Sequence, residues 1–248
     1  MNQDAIEALE PEFNQNAKPY GRRAFLGIAA LGSLGVVLGN RQATAVKATI
    51  GKVAIKDPTG IAKLLPINDD RWTIFTVTGG YPKRSKADYQ LKISGLVDRP
   101  LTLSYNDLLQ RKATSMTKDF QCVTGWRVDD VPWVGVLLRD LLDEVGVQSS
   151  ATALRFTSFD GEYTESLTLE QAYRPDMLVA YQLLGRDITT AHGGPVRLYA
   201  APMYGYKSIK WLETIEVVDK VIPGYWEERG YDIDAWVGGS NGLSDDPI

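Results

Sequence analysis

This chain has very little with which to bind a metal or make a covalent bond. Its 248 residues include one cysteine, Cys122, and one histidine, His192. A disulfide within the chain is excluded, and so is a zinc site of the usual Cys/His type. A hydrolytic triad would have to be built on His192, and the G-x-S-x-G elbow that presents a nucleophilic serine is missing. Neither sign of charge dominates, with 27 Lys and Arg against 31 Asp and Glu and a net charge of −4. Such a balance leaves no electrostatic footprint for nucleic acid. There is no internal repeat. Hydrophobic residues make up 44% and charged residues 23%, a composition that excludes a disordered or fibrous chain.

The N-terminal region reads as an address. Gly21-Arg22-Arg23-Ala24-Phe25-Leu26 precedes an uncharged run, Gly27 to Gly39, and then Ala43-Thr44-Ala45. The run is shorter than the roughly 20 residues of a membrane span. Paired arginines, a Gly-rich apolar stretch and a small-x-small cleavage pattern together match a twin-arginine export signal over residues 1–45. An uncleaved membrane anchor is the alternative. A core helix is disfavoured, because Gly27, Gly32, Gly35 and Gly39 would each cost about 1 kcal/mol relative to Ala. Residues 46–248 then form the exported domain, about 200 residues and enough for a substantial core. An extracytoplasmic location follows, and since this route carries folded proteins, a cofactor inserted before export becomes a reasonable expectation.

Within 46–248, an arm with a helical piece at 59–65 precedes a series of short strands. Alternation predicts strands at 72–78 and 89–93, then 114–121, 154–159, 163–167, 177–183, 196–200 and 210–218. Ser104 is placed to cap a short helix to Gln110. Leucines at 137, 138, 141 and 142 mark a second helix over 136–144, closed by Gly146. A helical turn is expected at 169–173. The tail from Pro223 to Ile248 is aromatic and Gly-rich. This is an α+β chain rich in β-structure.

Three segments could carry chemistry. Alone, a single cysteine such as Cys122 is more often an inert buried hydrophobe than a ligand. Export to an oxidising compartment makes a lone thiol a liability without a function, and Val123-Thr124-Gly125-Trp126 lets the chain turn sharply behind it. A single thiolate can complete a metal site whose other ligands come from a cofactor. In His192-Gly193-Gly194-Pro195-Val196-Arg197 the glycines permit close backbone approach, and Arg197 offers a planar fork; an ordinary Gly-Pro turn would look the same. Tyr204-Gly205-Tyr206-Lys207-Ser208-Ile209-Lys210-Trp211 places two lysines and a serine among backbone N–H donors that could hold a phosphate, or it is simply a loop ahead of a strand.

Taken together, L-K-I-S-G-L-V-D-R-P-L-T-L, Q-C-V-T-G-W, V-P-W-V-G-V-L-L-R-D-L-L, H-G-G-P-V-R-L, Y-G-Y-K-S-I-K-W and P-G-Y-W-E-E-R-G-Y resemble the molybdopterin-binding domain of the sulfite oxidase family. The likeness is greatest to its methionine-sulfoxide reductase branch and runs from about Trp72 to Trp236. It implies a sulfite oxidase-type fold and a molybdenum-molybdopterin cofactor, with Cys122 as the metal ligand and a catalytic residue. Ser158, His192, Arg197 and Lys207, Ser208, Ile209 and Lys210 are implied as cofactor contacts, as are Thr78, Tyr81 and Pro82 in the T-G-G-Y-P loop, whose residues differ from the family pattern. Trp126, an aromatic that matches the reductase branch, is implied as a second catalytic residue. Sulfite oxidases follow the ligand cysteine with A-G-N-R-R. Here Arg127 is offset and followed by Asp129 and Asp130, which argues against an oxyanion-binding arginine cluster.

The expectation is two-electron oxygen-atom transfer that reduces a small-molecule or protein-bound S-oxide or N-oxide. With no heme-attachment C-x-x-C-H, electrons are expected from a membrane heme or quinol-linked subunit. An oxidase of sulfite-like substrates and a cofactor-free secreted binding module are the alternatives.

Overall fold

The computed structural model describes residues 72 and 74–239. The export signal, its cleavage pattern and the helical piece at 59–65 lie outside the described residues. The chain divides into two compact units, Met1–Gly79 and Gly80–Ile248. The strand expected at 72–78 is absent: among the described residues of this stretch only Phe75 makes a β-bridge. Alternate side chains are not buried there, and Thr76 rather than its apolar neighbours is the shielded one.

The second unit is built on two sheets. The first runs in the order β2-β1-β10-β5-β6, from β1 (Gln90–Gly95), β2 (Leu101–Ser104), β5 (Ala153–Ser158), β6 (Thr164–Thr168) and β10 (Leu212–Val218). β1 and β10 pair parallel, with Ile93 opposite Ile215; the other pairs are antiparallel. The second sheet joins β3 (Thr114–Gln121), β4 (Arg127–Leu137), β7 (Met177–Leu183) and the two-residue β8 (Arg186–Asp187), and β9 (Arg197–Ala200) also pairs with β7. Leu91, Ile93, Phe156, Leu167, Val179, Leu198, Leu212 and Ile215 are core residues from both sheets.

The helices follow from their signals. Ser104 caps α1 (Tyr105–Leu109), its hydroxyl accepting from the Asp107 amide while the Asp107 carboxylate accepts from the Ser104 amide, a reciprocal capping box. In α2 (Leu138–Val145) the buried stripe is Leu138, Leu141, Leu142 and Val145, and each buried side chain contributes about 1.5–3 kcal/mol. Gly146 ends α2 in the left-handed region at φ +70° and donates to the Leu142 carbonyl. Thr168 caps α3 (Leu169–Ala172) through a second capping box with Gln171. Residues 136 and 137, expected in α2, instead complete β4, where Val136 and Leu137 face Val179 and Leu178. Gly135 makes that pairing possible, because a Cβ there would lie 2.2 Å from the Val179 carbonyl oxygen.

Candidate active site

Cys122 begins the five-residue loop of the β3–β4 hairpin, whose last paired residues are Gln121 and Arg127. The Cys122 amide donates to the Trp126 carbonyl at 2.8 Å and the Gly125 amide to the Cys122 carbonyl at 3.0 Å. Gly125 sits at φ +94°, the conformation glycine supplies in such a loop. This winding buries Cys122 to 8% exposure. The Thr124 hydroxyl lies 3.1 Å from the sulfur. Burial pushes the thiol pKa up, and the Thr124 hydroxyl, the Thr124 and Val123 amides and the charge of Lys210 pull it back.

The other two segments run side by side. Residues 190–192 form a 3-10 turn that ends at Gly193, with φ +96°. A Cβ on Gly193 would lie 2.6 Å from the Lys210 Cβ, so glycine is what lets the two segments touch. The Trp211 amide donates to the Gly193 carbonyl at 3.0 Å, and the Leu198 amide to the Ile209 carbonyl at 3.0 Å. Arg197 binds the pair together, its two Nη atoms donating to the His192 and Ser208 carbonyls at 2.7 Å each. Its guanidinium also lies 5.6 Å from the ring centres of Phe120 and Trp133. Gly205 meets Phe120, where a Cβ would come within 2.6 Å of the ring. The hairpin, the His192 turn and the 204–211 segment are therefore one packed cluster.

Its electrostatics are distinctive. Burial, with Arg197, Lys210 and Arg186 nearby, holds the His192 imidazole well below its ordinary pKa, so it is neutral. Burial and then Arg197 bring Lys210 down to about 7, with Asp160 and Cys122 opposing. Arg197 is lowered to about 10 by burial and remains a cation. A buried neutral imidazole with no carboxylate among the groups that shift it is poorly placed as the base of a hydrolytic triad.

Some expected contacts take different roles. Lys207 is fully buried and spends its three donors on Glu165 Oε1 at 2.9 Å, the Ser166 carbonyl at 2.9 Å and Glu227 Oε1. It anchors the loop and has no donor left for a phosphate. Nor do the amides of Lys207, Ser208 and Ile209 form a free cradle: they donate to the carbonyls of Tyr204, Gly205 and Lys207. The Ile209 side chain is in the core. Ser208 accepts from the Ala200 amide at 3.0 Å, and Ser158 from the Asp160 amide at 3.1 Å; each hydroxyl proton is still available to an acceptor. Tyr81 and Pro82 are half-buried. Thr78 is exposed and lies in the other compact unit. Trp126 stacks on Phe120 at 5.7 Å.

One further residue belongs here. Tyr231 is buried, and burial followed by the charge of Cys122 raises its pKa to about 12. It lies in the P-G-Y-W-E-E-R-G-Y segment, whose final tyrosine is the only hint the sequence offers. Among the described residues no three His, Cys, Asp or Glu side chains gather to hold a metal. A metal at Cys122 would take its remaining ligands from outside the described residues.

Residues 78–226 match the family described as the oxidoreductase molybdopterin binding domain. The uncharacterized oxidoreductase YuiH of Bacillus subtilis is 34% identical over 192 residues, 75% of this chain and 94% of that protein. The protein-methionine-sulfoxide reductase catalytic subunit MsrP of Ralstonia nicotianae is 30% identical over 83% of this chain and 71% of its own length. Sulfite oxidase of Arabidopsis thaliana is 28% identical, covering 58% of this chain and 45% of that one. The solved structure of the sulfane dehydrogenase SoxCD from Paracoccus pantotrophus superposes with a TM-score of 0.56 at 27% identity, covering 60% of this chain and 42% of that chain. The chain belongs to the oxidoreductase molybdopterin-binding domain family, with the sulfite oxidase-type fold and a molybdopterin cofactor.

Proposed function

We propose that this molybdopterin oxidoreductase is exported through its twin-arginine signal and reduces an S-oxide, or an N-oxide, with electrons from a membrane heme or quinol-linked subunit. A sulfoxide is the preferred substrate. The observation that carries the choice is the flank of Cys122. Arg127 is exposed and paired with Asp119 at 2.7 Å and with Asp129, so its charge is spent on carboxylates. The neighbour on the hairpin loop is the Trp126–Phe120 stack. An aromatic flank on the Cys122 hairpin suits a neutral sulfoxide better than an inorganic dianion. The likeness to methionine-sulfoxide reductase catalytic subunits supports the same reading.

The residues present fit the cofactor. Cys122 is a buried soft ligand on a wound loop, suited to molybdenum. His192, Arg197, Ser208, Lys210 and Ser158 line the adjoining segments, and Thr189 Oγ1 at the His192 turn is buried without a protein partner, a hydroxyl left for a polar group. Tyr81 and Pro82 are further proposed contacts. Lys207 and Ile209 hold the loop from behind. The cofactor, when bound, supplies two-electron redox and oxygen-atom transfer.

The chain's own part is binding, orientation and proton control. The hairpin and the Thr124 hydroxyl fix the Cys122 sulfur. Arg197 keeps the two cofactor segments in register. Lys210 Nζ, with its pKa near 7, can hold or release a proton at neutral pH. The Tyr231 hydroxyl keeps its proton and can donate to a substrate oxygen. Anaerobic assays with reduced viologen and a panel of S- and N-oxides test the proposal, with Cys122→Ser as control. Turnover of sulfoxides that the control lacks is expected. Ferricyanide-linked sulfite oxidation with no S-oxide or N-oxide reduction would overturn it in favour of a sulfite-type oxidase.

A further inference from the structure

Lys207 leads to a group of charges that lies outside the chemistry above. Its ammonium and the carboxylates of Glu165 and Glu227 are buried, with side-chain exposures of 0%, 0% and 1%. They come from β6, from the turn at residues 205–207 and from the C-terminal tail. Besides Lys207, Glu165 Oε1 accepts from the Ser166 amide at 2.8 Å and Glu227 Oε2 from the Gly224 amide. Glu165 Oε2 is buried without a partner. Burying such ions costs several kcal/mol each, and apolar residues of similar volume are often as stable or more so. Stability alone is therefore a weak account of this triad.

What it joins is more informative. Lys207 follows Tyr206 on one turn, and Glu227 follows Trp226 in the tail. The Tyr231 ring meets both aromatic neighbours edge-on, Tyr206 at 5.5 Å and Trp226 at 5.6 Å. The ammonium thus clamps together the two walls of the Tyr231 seat. Other bonds lie along the same seam: the Tyr225 amide donates to the Thr164 carbonyl at 3.0 Å, and the Tyr206 hydroxyl to the Asp232 carbonyl at 2.6 Å.

We infer that Glu165, Lys207 and Glu227 form a positioning lock that seats Tyr231 against Tyr206, whose neighbour Gly205 packs on Phe120 of the Cys122 hairpin. The lock acts on the site through the tail and touches neither substrate nor cofactor. Burial, opposed by Lys207 and reinforced by Glu227, raises Glu165 to about 8.

The inference rests on the family's cofactor but not on any particular substrate. Three holoenzyme variants test it: Glu227→Gln, the apolar replacement Glu165→Gln/Lys207→Met/Glu227→Leu, and Tyr231→Phe for reference. The readouts are molybdenum content, the Mo(V) electron paramagnetic resonance signal after reduction, and hydrogen exchange of residues 224–236 with the β7 amides as internal control. The lock predicts that the apolar replacement folds and keeps its molybdenum. Tail exchange should rise tenfold or more over unchanged β7 exchange, and the Mo(V) signal should move in the direction that Tyr231→Phe moves it. A stable replacement with wild-type tail exchange and a wild-type signal overturns the inference. If the replacement fails to fold, Glu227→Gln decides by the same readouts. If the wild type lacks molybdenum, the cofactor reading fails separately, and tail exchange alone decides the lock.

Discussion

Replacing Arg197 by Met separates a residue that touches the cofactor only in passing from one that holds the site together. The substitution removes two charge-assisted hydrogen bonds at 2.7 Å, worth about 1.5–3 kcal/mol each. It also removes two ring contacts at 5.6 Å, worth about 0.5–1 kcal/mol each. Relief from burying a guanidinium offsets part of this, and a net loss of about 2–4 kcal/mol remains. With a urea slope of about 2 kcal/mol per molar, the midpoint of the cofactor-free protein should fall by about 1–2 M. Arg197→Lys should recover little, because a single ammonium cannot reproduce the fork that spans both carbonyls. Both variants should also lose pterin, measured as fluorescence after acid release, because the His192 and Ser208 segments are no longer tied. A midpoint within about 0.3 M of wild type, measured at conditions of linear extrapolation, would refute the reasoning, since the two carbonyls would then have no need of Arg197.

Three other outcomes follow from the same geometry. Gly194→Ala would bring a Cβ to 1.9 Å from the Ile188 carbonyl oxygen, and it should yield protein depleted in pterin and less stable to urea by more than about 1 kcal/mol. Glu165, raised by burial from 4.5 to about 8, binds its proton more tightly folded than unfolded; its contribution is complete below about pH 4.5 and is lost as pH rises through 8. Glu165→Gln should therefore flatten the fall in urea midpoint between pH 5 and 9, and parallel curves for variant and wild type would contradict this. Arg127→Ala should leave sulfoxide turnover within about twofold and stability within about 0.5 kcal/mol, because its partners are exposed carboxylates; a tenfold rise in KM would return Arg127 to the substrate site.

Much of the fold is legible from short-range signals. β3 and β7 occupy 114–121 and 177–183 as their alternation and apolar content predict, and Ser104 and Gly146 bound their helices through local hydrogen bonds. The 11-residue β4 escapes such reading. Its first half carries Asp129, Asp130 and Pro132, which weaken a strand pattern, and its end runs into the leucine stripe of α2, so that residues 136 and 137 look helical. At 72–78 the reverse holds, since alternation there has no ladder to join among the described residues.

The site divides along the same line. Cys122 stands out because it is the only thiol, and the His192 and Lys210 segments because glycine and charge recur in them. Lys207 could not be told from a phosphate ligand, because its true partners lie 42 and 20 residues away on β6 and in the tail. Tyr231 reaches the neighbourhood of Cys122 from 109 residues further along only through the folding of the tail, a relation that no local pattern encodes.

The central claim is that Cys122 supplies the protein's ligand to a molybdenum-molybdopterin centre. The most direct test is metal content by plasma mass spectrometry, with acid-released pterin measured alongside, on wild type and Cys122→Ser produced in a host that makes molybdopterin. The account predicts near-stoichiometric molybdenum and pterin in the wild type, and pterin with an altered or lost molybdenum signature in the variant. A wild type with neither metal nor pterin from such a host, or a variant whose molybdenum spectrum matches the wild type, would contradict it.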